Sequence, residues 1–290
     1  MKAGVIYPQT ELGGDVGAVK AFAQAAEEMG YDHLVIYDHV LGADHDEREP
    51  KLRGPYKNTD PFHEPLITYA YLAGITERIE LVTGVLVLPQ RQTALVAKQA
   101  ADVDLFSGGR LRLGVGVGWN WVEFEGLELP GTFKKRGRRQ EAQIALMRKL
   151  WGESLIDHTD DFHRIDRAGI RPLPSRQIPI WLGGSSEVAY ERAARIADGF
   201  LFSGRTQTDA VAIKGRMEGM LAANGRADDD FGFESIQSFG NGANRWPGDI
   251  AAWRDAGGSH ISVVTMGSGF DTVDAHIDAI GQWRKVYDAG

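Results

Sequence analysis

Short apolar or β-branched runs alternate along the chain with longer stretches in which apolar positions recur every three or four residues, the spacing of one helical face. The short runs Ala3–Tyr7, His33–Tyr37, Ile79–Val87, Leu111–Val117, Ile178–Leu182, Gly199–Phe202, Phe231–Gln237 and His260–Thr265 are expected to be strands. The longer stretches Val16–Met29, Pro65–Thr76, Thr93–Phe106, Lys134–Leu150, Glu187–Ala197, Asp209–Asn224, Asp249–Ala256 and Thr272–Tyr287 are expected to be helices. Strands joined by helical crossovers must run parallel. Eight such units close most naturally into a (β/α)8 TIM barrel of the α/β class, with an open doubly wound sheet as the competing arrangement. Asp15 and Ser186 stand where N-caps are expected, and Gly30 and Gly225 where a left-handed residue ends a helix.

Two insertions interrupt this rhythm. Leu41–His63 follows the second strand, is rich in Asp, Glu, Lys and Arg, and contains Pro50, Pro55 and Pro61. A long loop after a barrel strand lies at the mouth formed by the strands' C-terminal ends, where it acts as a lid or binding element; a plain solvated loop is the competing reading. Trp151–Ser175 follows a helix, precedes the fifth strand, and reads as a short hairpin or extended segment. No repeat or linker divides the chain, so residues 1–290 are expected to form one domain.

Composition narrows the chemistry. A net charge of -8 works against general attraction to nucleic acid or anionic membranes. No apolar run approaches the roughly 18 residues of a membrane span, and the first residues turn polar too soon for a signal sequence, so a cytoplasmic location is expected. The absence of cysteine removes disulfides and thiolate nucleophiles, and leaves redox chemistry to a bound cofactor. His158, Asp160, Asp161 and His163 form the one metal-like cluster. Their spacing matches no standard site and their insertion is expected to lie away from the mouth, so they read as polar hairpin residues and no metal is expected.

The strand ends hold the candidate chemistry. After strand two, Asp38 and His39 place two titratable groups where barrel enzymes carry catalytic residues; an imidazole can exchange a proton beside a cofactor, and a neighbouring carboxylate can orient it. Gly84 interrupts a β-branched run in strand three, a mark of a bulge or a close approach. Gly114, Gly116 and Gly118 alternate along strand four, leaving a face against which a flat ring could lie, or giving steric relief inside the barrel. No helix is expected directly after them, which argues against a Rossmann fingerprint. Trp119, Asn120 and Glu123 follow. Gly183, Gly184, Ser185 and Ser186 lead from strand five into a helix and could bind a phosphate, with Arg205 on the next strand end as a charged partner.

Jointly these residues resemble the luciferase-like monooxygenase superfamily, particularly its actinobacterial branch that uses the deazaflavin coenzyme F420. The resemblance covers nearly the whole chain and rests on Asp38-His39, Thr83-Gly84-Val85, Gly116-Val117-Gly118-Trp119-Asn120 with Glu123, and Pro179 to Ser185. It implies that Asp38 and His39 sit near the cofactor ring, that Thr83–Val85 support it from a bulge with a cis Gly84-Val85 peptide, and that Gly116–Asn120 meet its edge or ribityl chain. Gly183–Ser186 would hold the phosphate. The chain departs from the related deazaflavin-dependent alcohol and sugar-phosphate dehydrogenases in two places: Trp119 stands where they carry a glutamate, and Leu41, Gly42 and Ala43 where they carry a tryptophan. Glu123 is the candidate to replace the missing acid. The resemblance implies hydride transfer between reduced F420 and a small organic substrate, with an FMN-dependent monooxygenase and a non-catalytic cofactor-binding protein as alternatives. It also implies a homodimer, for which the apolar stretches Pro65–Leu72 and Thr93–Phe106 are the candidate surface.

Overall fold

Strands buried on both faces have only their edges left to satisfy, and a closed ring of parallel strands satisfies them all. The computed structural model describes residues 1–290. Its elements are β1 (Lys2–Ile6), α1 (Val16–Glu28), β2 (His33–Ile36), α2 (Pro65–Ala73), β3 (Glu80–Thr83), β4 (Leu86–Val87), α3 (Thr93–Phe106), β5 (Leu111–Gly116), α4 (Trp121–Gly126) and α5 (Arg136–Gly152). There follow β6 (Ile156–Thr159), β7 (Arg164–Ala168), β8 (Ile180–Gly183), α6 (Glu187–Ile196), β9 (Gly199–Phe202), α7 (Gln207–Ala223), β10 (Gly232–Ser238), α8 (Trp246–Asp255), β11 (His260–Val264) and α9 (Val273–Ala289).

β1, β2, β3, β5, β8, β9, β10 and β11 pair in parallel in that order, and β11 pairs back onto β1, so the sheet is the expected (β/α)8 barrel. Its residues serve two cores. Ile6, Val35, Val82, Trp181 and Leu201 pack inside the barrel, while a much larger apolar cluster fills the space between strands and helices. β4 is the end of the third expected strand, which breaks at a cis Gly84-Val85 peptide and resumes beside β5. No helix is long and apolar enough to cross a membrane.

The helix boundaries follow local chemistry. Asp15 Oδ1 accepts the Gly17 amide at 2.7 Å and starts α1. Ser186 occupies the N-cap of α6, but its side chain makes no capping bond. Gly30 and Gly225 take positive φ, as helix-ending residues do. One short helix adds to the expected elements. α4 starts soon after the strand-four glycines, where a loop is expected, because Asn120 Oδ1 accepts the Glu123 amide at 3.2 Å and nucleates a turn.

Both insertions take structure at the rim. Within Trp151–Ser175, β6 and β7 form an antiparallel hairpin. Its tip touches the first residues of α3 and α5, through His163 Nε2 and Thr93 Oγ1 at 2.7 Å and Arg138 Nη2 and Asp161 Oδ2 at 2.6 Å. Those helix starts are on the mouth side, so the hairpin climbs the outside of the barrel to the rim instead of staying remote from it. The expected separation fails because a strand of four residues after α5 spans most of the barrel's height.

Candidate active site

Asp38, Gly84, Trp119, Gly183 and Arg205 all stand at or just beyond the C-terminal ends of barrel strands and gather at the mouth. Asp38 is buried, and its carboxylate is fully engaged: Oδ2 accepts the Val87 amide at 2.8 Å and Oδ1 accepts Arg91 Nη2 at 2.7 Å. Burial pushes the Asp38 carboxyl upward, while Arg91 and the Val87 amide pull it back. Arg91 also reaches Glu64 Oε1 at 2.7 Å, and these two carboxylates hold its charge despite its burial. Asp38 therefore braces β4 and the lid's root and makes no hydrogen bond to His39. The expectation that it orients the imidazole is corrected.

Glu123 does that work. Its Oε2 lies 3.3 Å from His39 Nδ1 and accepts Gln90 Nε2 at 3.0 Å, and its Oε1 accepts the Val40 and Leu41 amides at 2.7 and 3.1 Å. Burial would raise this carboxyl, but the bonds from His39, Gln90 and the Leu41 amide outweigh it and hold it below the ordinary carboxylate range. An ionised carboxylate only accepts, so His39 must carry its proton on Nδ1 and turn Nε2 outward. Glu123 is consequently occupied as a holder of His39 and of the chain leaving β2. It is not a free acid standing in for a missing one.

Of the two readings of the alternating glycines, the close contacts favour steric relief. A Cβ on Gly116 would come within 2.4 Å of Val85, one on Gly118 within 2.6 Å of Val87, and one on Gly183 within 2.7 Å of Val85. A Cβ on Gly114 would strike the Thr83 carbonyl at 2.0 Å. The hollow is thus filled by the bulge itself, and the glycines admit Val85 between two strands. Steric relief wins over an open ring-binding face at these positions. Thr83 donates its hydroxyl to the Gly114 carbonyl at 2.6 Å and ties the bulge to β5.

The Leu41–His63 insertion closes over this floor as a lid. Tyr56, Phe62 and Trp119 stand edge-on to the His39 ring with centroids 5.3, 5.0 and 5.6 Å away. Gly54 lies so close to Trp119 that a Cβ there would meet the indole at 2.2 Å. His45 Nε2 donates to the Tyr56 carbonyl at 2.9 Å and pins one limb of the lid to the other. The result is an aromatic cage around one imidazole with a free Nε2.

On the opposite side of the mouth, Gly184, Ser185 and Ser186 precede α6, whose first amides have no capping side chain. Arg205 Nη2 donates to the Ser185 carbonyl at 2.7 Å, and its Nε is buried without a partner. Two hollows meet at Arg205. One, of about 380 Å³, is lined by Ser185, Tyr190, Arg205 and Arg216 with Glu187 and Asp209; the other, of about 360 Å³, by Arg205, Gln207, Asn241 and Arg245 with Asp249. An orphaned guanidinium N–H beside uncapped helix amides and two serines fits an anionic phosphate.

Sequence reasoning missed Gln90, Arg91, Tyr56 and Phe62. Gln90 and Arg91 were detectable as polar residues in the turn between a barrel strand and its helix, which is a mouth position. The two aromatics lie in a loop whose path no periodicity records.

The chain is similar in sequence and in fold to known proteins. The chain is 30% identical over 216 residues to the FMNH(2)-dependent dimethylsulfone monooxygenase of Pseudomonas putida, covering 73% of this chain and 56% of that one. It is 30% identical over 185 residues to the F420-dependent glucose-6-phosphate dehydrogenase of Amycolatopsis mediterranei, covering 62% and 51%. The match thus spans little more than half the length of these curated relatives. The fold is shared with an F420-dependent secondary alcohol dehydrogenase solved with an F420-acetone adduct, at a TM-score of 0.79, 15% identity and coverage of 99% and 98%. The luciferase-like monooxygenase family model matches residues 2–237, and the chain belongs to that family.

Proposed function

We propose that this protein is an oxidoreductase that moves a hydride between coenzyme F420 and a small organic substrate. The observation that carries the reading is that two neighbouring hollows share Arg205 in their walls. A cofactor phosphate seated at Ser185, Ser186 and the start of α6 has a second hollow next to it, in whose wall Arg205 and Arg245 outnumber the one carboxylate, Asp249. A flavin mononucleotide ends at its phosphate, whereas F420 continues through a phosphodiester into an anionic tail. Lys51, Arg53 and Lys57 are exposed on the lid, where Asp44, Asp46, Glu47 and Glu49 offset their charge, so the anionic tail depends on Arg205 and Arg245.

When bound, the deazaflavin supplies the hydride. His39 Nε2 exchanges the accompanying proton with the substrate, Glu123 keeps the ring in the tautomer that allows this, and the cage of Tyr56, Phe62 and Trp119 excludes water. Asp38 and Arg91 keep the bulge in place. The test is a pair of titrations with F420 and FMN at low and moderate salt. Tighter F420 binding that weakens as salt rises is expected from the basic path. Tighter FMN binding overturns the assignment.

The second reading is an FMN-dependent monooxygenase. It is favoured by the aromatic lid, because oxygen chemistry on a reduced flavin requires protection from water, and by the likeness to the dimethylsulfone monooxygenase. For either reading we propose a homodimer through α2 and α3, which leave Ile67, Tyr71, Leu95 and Phe106 exposed. Light scattering at the mass of one chain would refute the dimer.

A further inference from the structure

Three side chains at the tip of the β6–β7 hairpin converge. His158 Nε2 lies 2.8 Å from Asp160 Oδ2, and His163 Nδ1 lies 3.0 Å from both Asp160 oxygens. One donor atom from each of the three falls within 4.8 Å of the others. The Phe162 and His163 amides donate to Asp160 Oδ1 at 2.7 and 2.8 Å and stop the carboxylate from rotating away. A borderline divalent cation binds imidazole nitrogen and carboxylate oxygen at about 2.0 to 2.2 Å, which places neighbouring donors in a tetrahedron roughly 3.3 Å apart. The present N–O separations are only slightly shorter, so a small opening of the triad creates the site.

A second observation lies outside the cluster. His163 Nε2 is 2.7 Å from Thr93 Oγ1 on α3. A hydroxyl both donates and accepts. Without a cation, His163 carries its proton on Nδ1 toward Asp160, and Thr93 donates to the Nε2 lone pair. With a cation on Nδ1, the proton resides on Nε2 and Thr93 accepts it. His158 undergoes the same exchange, from Nε2–H to Nδ1–H. Two neutral imidazoles change tautomer, no net proton is released, and both rings offer a lone pair. An outer hydrogen bond of this kind orients a ligating histidine and raises its basicity. The adjoining hollow of about 290 Å³, bounded by Arg138, Glu141, Asp161 and Phe162, leaves room for water on the cation's open side.

We propose that His158, Asp160 and His163 form a three-ligand site for a borderline divalent cation of the Zn²⁺ type, which fastens the hairpin tip to the first turn of α3. The sequence spacing matched no standard site because the ligands meet across a hairpin turn, with the orienting hydroxyl supplied from a distant helix. The site is separate from the mouth chemistry, yet Thr93 follows closely on Gln90 and Arg91, so an occupied site also steadies the segment that holds Glu123 and Asp38.

The experiment uses the full chain with no affinity tag. Zn²⁺ is titrated by calorimetry at neutral pH, and Co²⁺ by its visible absorption, which reports coordination geometry. One saturable site per chain is expected. His158→Gln, a partly exposed position whose replacement leaves the fold intact, should abolish it, and Thr93→Val should weaken it about tenfold. No saturable uptake, or uptake unaffected by His158→Gln, would show the triad to be a hydrogen-bonded turn and nothing more.

Discussion

At the floor of the barrel, Glu234 is completely buried and takes His33 Nε2 at 2.8 Å on one oxygen and Arg112 Nη1 at 2.8 Å on the other, with Ser262 completing the shell. At the mouth, Glu123 is almost as deeply buried, but no arginine or lysine bonds to it and His39 is its one ionisable partner. The floor cluster is also sealed. Arg112 lies over the Trp181 indole at 4.1 Å, its Nε reaches Glu80 Oε2 at 3.0 Å, and Gly199 and Gly232 leave room for that indole. Both regions bury charge, and burying charge costs stability unless the charge is well paired. The floor satisfies its carboxylates from within and seals the cluster off, so that His33 Nδ1 and Arg112 Nη2 stay buried without partners and out of reach of any substrate. The mouth keeps one imidazole nitrogen uncommitted beneath an aromatic cover, and that uncommitted atom is what chemistry requires.

The comparison is broken most severely by Glu234→Ala, which leaves buried Arg112 with only the Glu80 carboxylate and takes from His33 its carboxylate partner. A loss of roughly 3 to 5 kcal/mol is expected in urea unfolding. An equal loss from Glu123→Ala would erase the distinction between the two ends.

Acid tests the floor next. Burial, reinforced by Arg112, pushes His260 down from 6.5 to about 2. Between those values the unfolded chain binds a proton that the folded chain refuses, so stability falls as pH falls below 6.5, by roughly 1.4 kcal/mol per unit. Glu234 and Glu123, both held low, lose their contributions only at more acid pH, as each is protonated in the folded state. Unfolding midpoints at neutral and mildly acid pH should show this slope, and His260→Asn should flatten it. An unchanged slope in the variant would place the proton elsewhere.

Glu123→Gln sharpens the mouth side. It keeps the size of the group but presents a neutral amide to His39, so a stability loss of about 1 to 2 kcal/mol is expected together with a changed His39 tautomer signal in nitrogen-15 spectra. A large stability loss with an unchanged imidazole signal would make Glu123 a purely structural group. The smallest effect is expected from Gly54→Ala. Its added methyl meets Trp119, but the lid is exposed and can yield, so the cost should stay below about 1 kcal/mol while tryptophan fluorescence shifts. A cost matching that of Gly232→Ala would show the lid to be as rigid as the floor.

Much of this architecture was legible in the sequence. Parallel strands buried on both faces read as continuous apolar runs, so all eight barrel strands and their helices could be placed, and the mouth followed from their direction. The positions of Asp38, His39, Ser185 and Arg205 came with it. Partnerships were not legible in the same way. Whether Asp38 or Glu123 holds His39 depends on the direction in which two neighbouring side chains leave β2, and one faces Arg91 while the other faces α4. The alternating glycines were ambiguous because a missing Cβ records a close approach without naming what approaches. Here it is Val85, from a bulge that only three-dimensional pairing reveals.

Arg91 has a consequence for engineering. Its guanidinium joins Asp38, just before the lid, to Glu64, the N-cap just after it. The two ends of a long surface excursion are therefore fastened at one point on the barrel wall, independently of what the excursion contains. Lengthening a loop whose ends are already fixed adds little closure entropy. The stretch between these anchors is accordingly a natural place for grafting: foreign segments could be exchanged there to redirect substrate choice, with the Arg91 clasp, His39 and the barrel left as they are.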